Sequence, residues 1–230
     1  MRIWDIHPGY LNRQSLLGEH RELHGIVSIL SHGKKGYANH PETLRWQGYG
    51  WALSMRHRQL ACEMQLRGYQ DRSPVLIELS AEGIWPGSFI DSPENQYVIL
   101  AKKYQGKDEG RIPLPRNSQQ LWAQHKYSVM ARSVQIYREI GVKLAKHDME
   151  FAELASLFLK MLRQPPTAGG LRNSLQHMWG YVANPAPLED VNAWTNSRLL
   201  DEVVRRVKQR DESYLSVSTA LSDFWVWLAD

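Results

Sequence analysis

The apolar positions of this chain recur mostly at helical spacing. Leu16, Leu17, Leu23, Ile26, Val27 and Leu30 fall close enough to a 3.6-residue period to bury one face of a helix that starts at Arg13. Asn12 stands before it as an N-cap, and Gly33 after it as a stop. A second helix is predicted from Gly50 to Arg67. Trp51, Met55, Leu60, Met64 and Leu66 are available for burial there, Arg56, His57 and Arg58 lie outside, and Gly68 ends the helix. From Ser73 to Pro115 the pattern changes. VLIEL is short and apolar, Trp85-Pro86-Gly87 and Ser92-Pro93 are breakers, and Gln96 to Lys103 makes a short helix. RIPLPRN, with Pro113 and Pro115, reads as an extended linker. Every later segment is helical in period. LWAQHKYSVMA opens at Asn117 or Ser118, Ser133 caps VQIYREIGVKLAK, and Asp148 opens MEFAELASLFLKMLRQ, which Pro165-Pro166 terminates. LRNSLQHMWGYV, SRLLDEVVRRVKQR and SYLSVSTALSDFWVWLA follow. The expectation is a mostly α protein with a small helical domain over residues 1–112, a linker over 113–117, and an all-α bundle of about five helices over 118–230.

Composition narrows the class. With 230 residues, 43% of them hydrophobic, the chain can bury a sizeable core. No apolar run reaches the length of a membrane span, and the start MRIWDIHPGY lacks an apolar leader. Cys62 is the single cysteine, so no internal disulfide can form; it reads as a small core residue, and a cytoplasmic protein is expected.

Charge is unevenly placed. Residues 1–72 hold ten Lys/Arg against six Asp/Glu, whereas the remainder holds 18 against 18. The same first third contains six of the nine histidines. A basic segment on a neutral remainder points to a polyanionic partner. Lys34 and Lys35, flanked by Gly33 and Gly36, could bring ammonium and backbone groups against phosphate, although a solvated turn would look the same.

Within that third, RQSLLGEHRELHGI gathers Arg13, Glu19, His20, Arg21, Glu22 and His24 into a few helical turns. Arg21 and Glu22 point about 100° apart, so each must find a partner elsewhere. This stretch is the candidate active site; a solvated helix face would carry the same charges. No CxxC, HExxH, P-loop or GxGxxG is present, so no motif supports a metal or a nucleotide cofactor. In the second half His125, Lys126 and His177 could bind a ligand or serve structure alone.

The blocks GEHRELHGI, GKKGY and MRHRQLACEMQLRGY, together with MRI at the start and Gln14, resemble the pyrimidine-dimer DNA glycosylases of the bacteriophage endonuclease V family. The resemblance covers residues 1–72 well and 73–112 poorly. It implies a compact helical enzyme that needs no metal or other cofactor and acts on double-stranded DNA. An N-terminal α-amine attacks the sugar C1′ of a damaged pyrimidine, a helix glutamate assists, and a Schiff base leads to strand cleavage by β-elimination. Carried over, Glu22 falls on the catalytic glutamate, while Arg2, Gln14 and Arg21 fall on residues used around the lesion. In the phage enzyme methionine removal exposes a threonine amine, but the bulky Arg2 disfavours such removal here. Aligning the Arg-Ile pairs puts Met1 itself at the nucleophile position. An α-amine ordinarily titrates near 8, so a useful fraction is uncharged at physiological pH, unlike an ordinary lysine. Lys34, Lys35, Arg56 and Arg58 would contact phosphates. Gly25 stands where the family carries a basic residue. The family's aromatic, basic C-terminal tail has only loose counterparts in Tyr97, Tyr104 and Lys102-Lys103.

The second half resembles the YbgA-like helical domain through HKYSVMARSVQIYREIG, LRQPP followed by NSLQHMWGYV, and SYLSVSTAL, over roughly residues 118–222. That domain occurs alone or fused to thiopyrimidine-desulfurase domains, which implies a nucleic-acid or modified-pyrimidine theme. Two other readings stand beside a glycosylase with AP-lyase activity: a non-catalytic nucleic-acid binder on the same scaffold, and an enzyme acting on modified pyrimidines in RNA.

Overall fold

The computed structural model describes residues 1–184 and 190–228, and among these it contains helices and connecting segments but no strand. The chain forms two compact units, Met1–Gly110 and Arg111–Asp230.

In the first unit a 3-10 turn at Pro8–Tyr10 precedes four helices: α1 (Arg13–His32), α2 (Pro41–Trp46), α3 (Gly50–Leu66) and α4 (Pro93–Lys103). Asn12 caps α1 as expected, its side chain accepting from the Ser15 amide at 2.9 Å. Gly33 ends α1 with φ 59°, a left-handed conformation that costs glycine little. Leu16, Leu23 and Ile26 are fully buried and seat α1 against α3. The opposite face, with Arg13, Gln14 and Arg21, is exposed.

The N-terminal segment runs inward before α1, and Ile3, Trp4 and Ile6 are buried. Gln96 of α4 holds it by accepting from the Asp5 amide at 2.8 Å. Arg45 of α2 donates to both oxygens of Asp5 at 3.0 and 2.9 Å. The first few residues thus become part of the core rather than a loose end.

α3 corrects the sequence reading on one side. Arg56 and His57 are buried, not outward; only Arg58 of that trio is exposed. VLIEL also departs from an apolar core segment, since Leu76 and Leu79 are 77% and 63% exposed on an irregular stretch.

The second unit contains α5 (Ser118–Arg132), α6 (Val134–Ala145), α7 (Phe151–Leu162), α8 (Ala168–Val182), a 3-10 turn at Val191–Ala193, α9 (Asn196–Arg210), the single turn α10 (Ser213–Ser216) and α11 (Ala220–Leu228). α5 is its axis, packing against α6, α7, α8 and α11. Arg132 of α5 forms a buried two-oxygen ion pair with Asp223 of α11, at 2.8 and 3.0 Å. At Gly170 an added Cβ would lie 2.2 Å from the Ala131 carbonyl oxygen, so α8 can start this close to α5 only with glycine there.

Two boundaries shift. α7 begins at Phe151 behind Glu150, rather than at Asp148. The segment expected as a linker belongs to the second unit, where Ile112 is fully buried, Arg111 donates to the Ser216 and Ser218 carbonyls, and Gln124 donates to the Pro113 carbonyl. Among the described residues no helix is long and apolar enough to cross a membrane.

Candidate active site

The inward course of the N-terminus brings the first residues onto α1 beside Glu22. The backbone N–H of Arg2 donates to Glu22 Oε2. Only three covalent bonds separate that nitrogen from the Met1 amine, so the amine and the carboxylate share one neighbourhood. The Met1 amine lies 3.3 Å from His40 Nε2, and the Met1 thioether reaches over α1 to within 4.0 Å of where a Cβ on Gly25 would sit.

A cleft of about 230 Å³ opens here, lined by Arg2, Trp4, Gln14, Ser15, Gly18, Glu19, Arg21, Glu22 and Lys103. It joins Glu22 to Arg2, Gln14 and Arg21, which the sequence had singled out together. Gln14, Gly18, Arg21 and Glu22 recur at three- and four-residue steps along α1, which is why one helix can supply one wall. The Arg2 guanidinium lies 4.2 Å from the Trp4 ring centroid and pairs with Asp91. Its Nη2 is buried and has no hydrogen-bond partner among the described residues. Arg21 is exposed and donates through Nε to the Leu17 carbonyl at 3.3 Å, leaving the end of its guanidinium toward the cleft mouth. Guanidinium groups, an indole and a carboxylate lining one cleft suit an anionic, ring-bearing ligand.

Two contributors, His40 and Trp4, escaped the sequence reading. His40 accepts from the Glu42 amide at 3.1 Å through Nδ1, capping α2, and so presents Nε2 to the Met1 amine. Trp4 carries no local signal of its own, whereas Lys103, noted in the sequence only as a loose basic counterpart, lines the cleft. Tyr97 and Tyr104 are core residues rather than substitutes for an aromatic grip: Tyr97 meets Tyr10 edge-on, and Tyr104 accepts from the Asn12 amide at 2.9 Å.

The basic residues divide. Lys34 and Lys35 are exposed on the turn after α1, with Lys34 donating to Ser28 Oγ at 2.6 Å. Arg58 is exposed on α3. Arg56 is not a surface cation. It is 2% exposed and gives Nε and Nη2 to the two oxygens of Glu19, at 2.7 and 3.1 Å, and Nη1 to the Ile6 carbonyl at 3.0 Å. Its donors serve the core, so the phosphate role does not apply to it. Glu19 is wholly buried, and burial lifts its carboxyl to about 7 against the opposing pull of Arg56.

Behind α1, His20, His24, His57 and Asp71 each offer one ligating atom, all within 4.8 Å of one another. In the second unit His125 stacks on Phe158 at 4.8 Å between centroids, and its Nδ1 lies 3.0 Å from the Leu121 carbonyl. That is a packed structural ring. Lys126 lies over Tyr127 and Tyr214, and His177 is exposed. A larger groove of about 550 Å³, bounded by Leu30, Trp46, Gly50 and residues 76–80, offers one carboxylate, Glu78, and no base or cation.

No curated protein and no solved structure matches the chain. Residues 126–198 match the model of DUF1722, the YbgA-like family of unknown function, and residues 1–76, which carry the N-terminus and Glu22, match the family model of the pyrimidine dimer DNA glycosylases.

Proposed function

We propose that the first unit is a DNA glycosylase with AP-lyase activity on damaged pyrimidines, using the Met1 amine as nucleophile and Glu22 as the assisting carboxylate. The observation that carries this reading is the Arg2 amide bonded to Glu22, which keeps the chain's first amine beside the carboxylate. The family match over residues 1–76 supports a DNA substrate.

The amine lone pair forms a bond to C1′ as the glycosidic bond breaks and its electrons leave on the base. Loss of the amine proton and opening of the C1′–O4′ bond give the imine. Removal of a C2′ proton then expels the 3′ phosphate and cuts the strand. Glu22 faces the positive charge that develops on the sugar and relays protons. His40 positions the nucleophile: its Nδ1 accepts from the Glu42 amide, which fixes the ring with Nε2 3.3 Å from the Met1 amine. Arg2 and Arg21 hold phosphate or carbonyl oxygens, Trp4 offers a stacking face, and Gln14 can bond to a base edge. The target base must leave the duplex stack to reach so small a cleft, and Lys34, Lys35 and Arg58 would steady the flanking backbone.

Borohydride reduction tests the chemistry by trapping the imine. Covalent capture on dimer-containing or abasic DNA is expected. Glu22→Gln should lower base excision by about 10²–10⁴-fold while leaving DNA binding intact. Extending the chain before Met1 should be equally damaging, because the amine becomes an amide. If Glu22 merely braces the Arg2 amide, the extension would be harmless. Failure to trap an adduct on dimer-containing, abasic and oxidised-base substrates would sink the lyase reading. It would leave the binder or the RNA enzyme.

A further inference from the structure

We propose that His20, His24, His57 and Asp71 form a binding site for one divalent transition-metal ion of the zinc class. It lies apart from the cleft and goes beyond the proposed lyase chemistry. Zinc takes imidazole nitrogen and carboxylate oxygen in a tetrahedron with bonds of about 2.0–2.2 Å, which sets neighbouring ligand atoms roughly 3.3 Å apart. Here His20 Nε2 lies 3.2 Å from Asp71 Oδ1, and His57 Nε2 lies 3.2 Å from Asp71 Oδ2. The three rings surround a common point, with centroids 4.7, 5.0 and 4.9 Å apart.

Hydrogen bonding leaves this cluster incomplete. The Nε2 atoms of His20, His24 and His57 are all buried without a hydrogen-bond partner, although two of them lie beside the Asp71 carboxylate. The approach distances are within hydrogen-bond reach, but the pairs do not meet the angular requirement of a hydrogen bond. Three buried nitrogens on one spot would be costly unless something satisfies them together. A single metal ion at the shared centre would satisfy all three nitrogens at once.

The ligand set limits the ion and its role. Three nitrogens and one carboxylate suit zinc and its borderline neighbours, not magnesium or calcium, which prefer all-oxygen shells. Four protein ligands close a tetrahedron, the pattern of a structural site. His20 and His24 lie one turn apart on α1, His57 comes from α3, and Asp71 comes from the segment after α3. The ion therefore ties three pieces of chain together. Residues two apart on a helix point about 160° away from each other, so Glu22 looks out on the opposite flank from His20 and His24. The metal braces the helix whose other face carries the candidate active site.

The test uses the full-length protein and needs no DNA. After purification without chelator, elemental analysis should give about one zinc per chain. After stripping, titration with Zn²⁺ against a chromophoric competitor should give a Kd below about 1 µM, in keeping with the free energies of structural zinc sites, and hydrogen exchange of α1 and α3 should slow as zinc binds. His24→Ala and Asp71→Asn should each abolish stoichiometric binding, whereas Cys62→Ser should retain it. Tight zinc binding that survives both ligand variants would overturn the assignment, as would the absence of tight binding in the unaltered chain. Should the ligand variants fail to fold, Co²⁺ added to the stripped unaltered protein decides. The intense visible absorption of four-coordinate Co²⁺ supports the site, and the faint spectrum of the six-coordinate ion refutes it.

Discussion

Arg56→Ala separates a structural arginine from a DNA contact. The guanidinium and the Glu19 carboxylate are 2% and 0% exposed as side chains. Removing Arg56 deletes two bonds to Glu19, one to the Ile6 carbonyl and one to Gln59 Oε1. It leaves Glu19 with no counter-ion in a site that already raises its carboxyl to about 7. Breaking a buried pair in this way costs about 3–5 kcal/mol, a large part of the roughly 5–15 kcal/mol that holds a typical domain. Because the chain has two units, a single unfolding curve would mix them. Hydrogen exchange of α1 and α3 peptides under increasing urea isolates the first unit. Protection there should fall by the stated amount while α5 and α8 stay unchanged. The double replacement Glu19→Gln with Arg56→Met removes both charges and should recover most of the loss, since the desolvation of the pair disappears with its attraction. A single-variant loss below about 1 kcal/mol, or a double variant worse than the two singles combined, would refute the account. Reduced salt dependence of DNA binding by folded Arg56→Ala protein would restore the phosphate role.

The remaining predictions concern surface charge and pH. Replacing Lys34 and Lys35 by Ala should leave stability within about 0.5 kcal/mol, while the slope of log K for DNA against log salt shrinks by about one per lost phosphate contact; an unchanged slope would make the pair merely solubilising. Burial lowers the His125 ring to about 4, while in the unfolded chain it titrates near 6.5, so only the unfolded state holds the proton between those values. Stability of the second unit should therefore fall as pH drops from about 6.5 toward 4, by as much as about 3 kcal/mol. His125→Gln should flatten that slope in hydrogen exchange of α5, and an equally steep decline in the variant would place its origin elsewhere.

The helices were legible because periodicity and capping are local. Leu16, Leu23 and Ile26 mark the buried face of α1 in the sequence as in the fold, and Asn12 and Ser133 cap as their side chains allow. Glu22, Arg2, Gln14 and Arg21 were found together through a family resemblance, not through physics. What failed was whatever depends on a distant partner. The run Arg56-His57-Arg58 reads as solvated charge, because nothing nearby in sequence announces that Glu19, 37 residues earlier, will draw Arg56 inside. VLIEL fails the other way: its composition is apolar, but in an irregular stretch no regular face collects Leu76 and Leu79 for burial. The histidine cluster left half a signal. His20 and His24 at a four-residue step share a helix face, but His57 and Asp71 complete the set only after α3 packs on α1.

The contact between Met1 and Gly25 makes position 25 a vantage point on the N-terminus. The thioether lies 4.0 Å from where a Cβ at position 25 would begin, an ordinary packing distance, so a side chain there could start against Met1 without displacing it. A residue introduced at 25 would therefore brush the first residue of the chain and report on its placement, while Lys103 of α4, which lines the neighbouring cleft, offers a cation from another part of the fold.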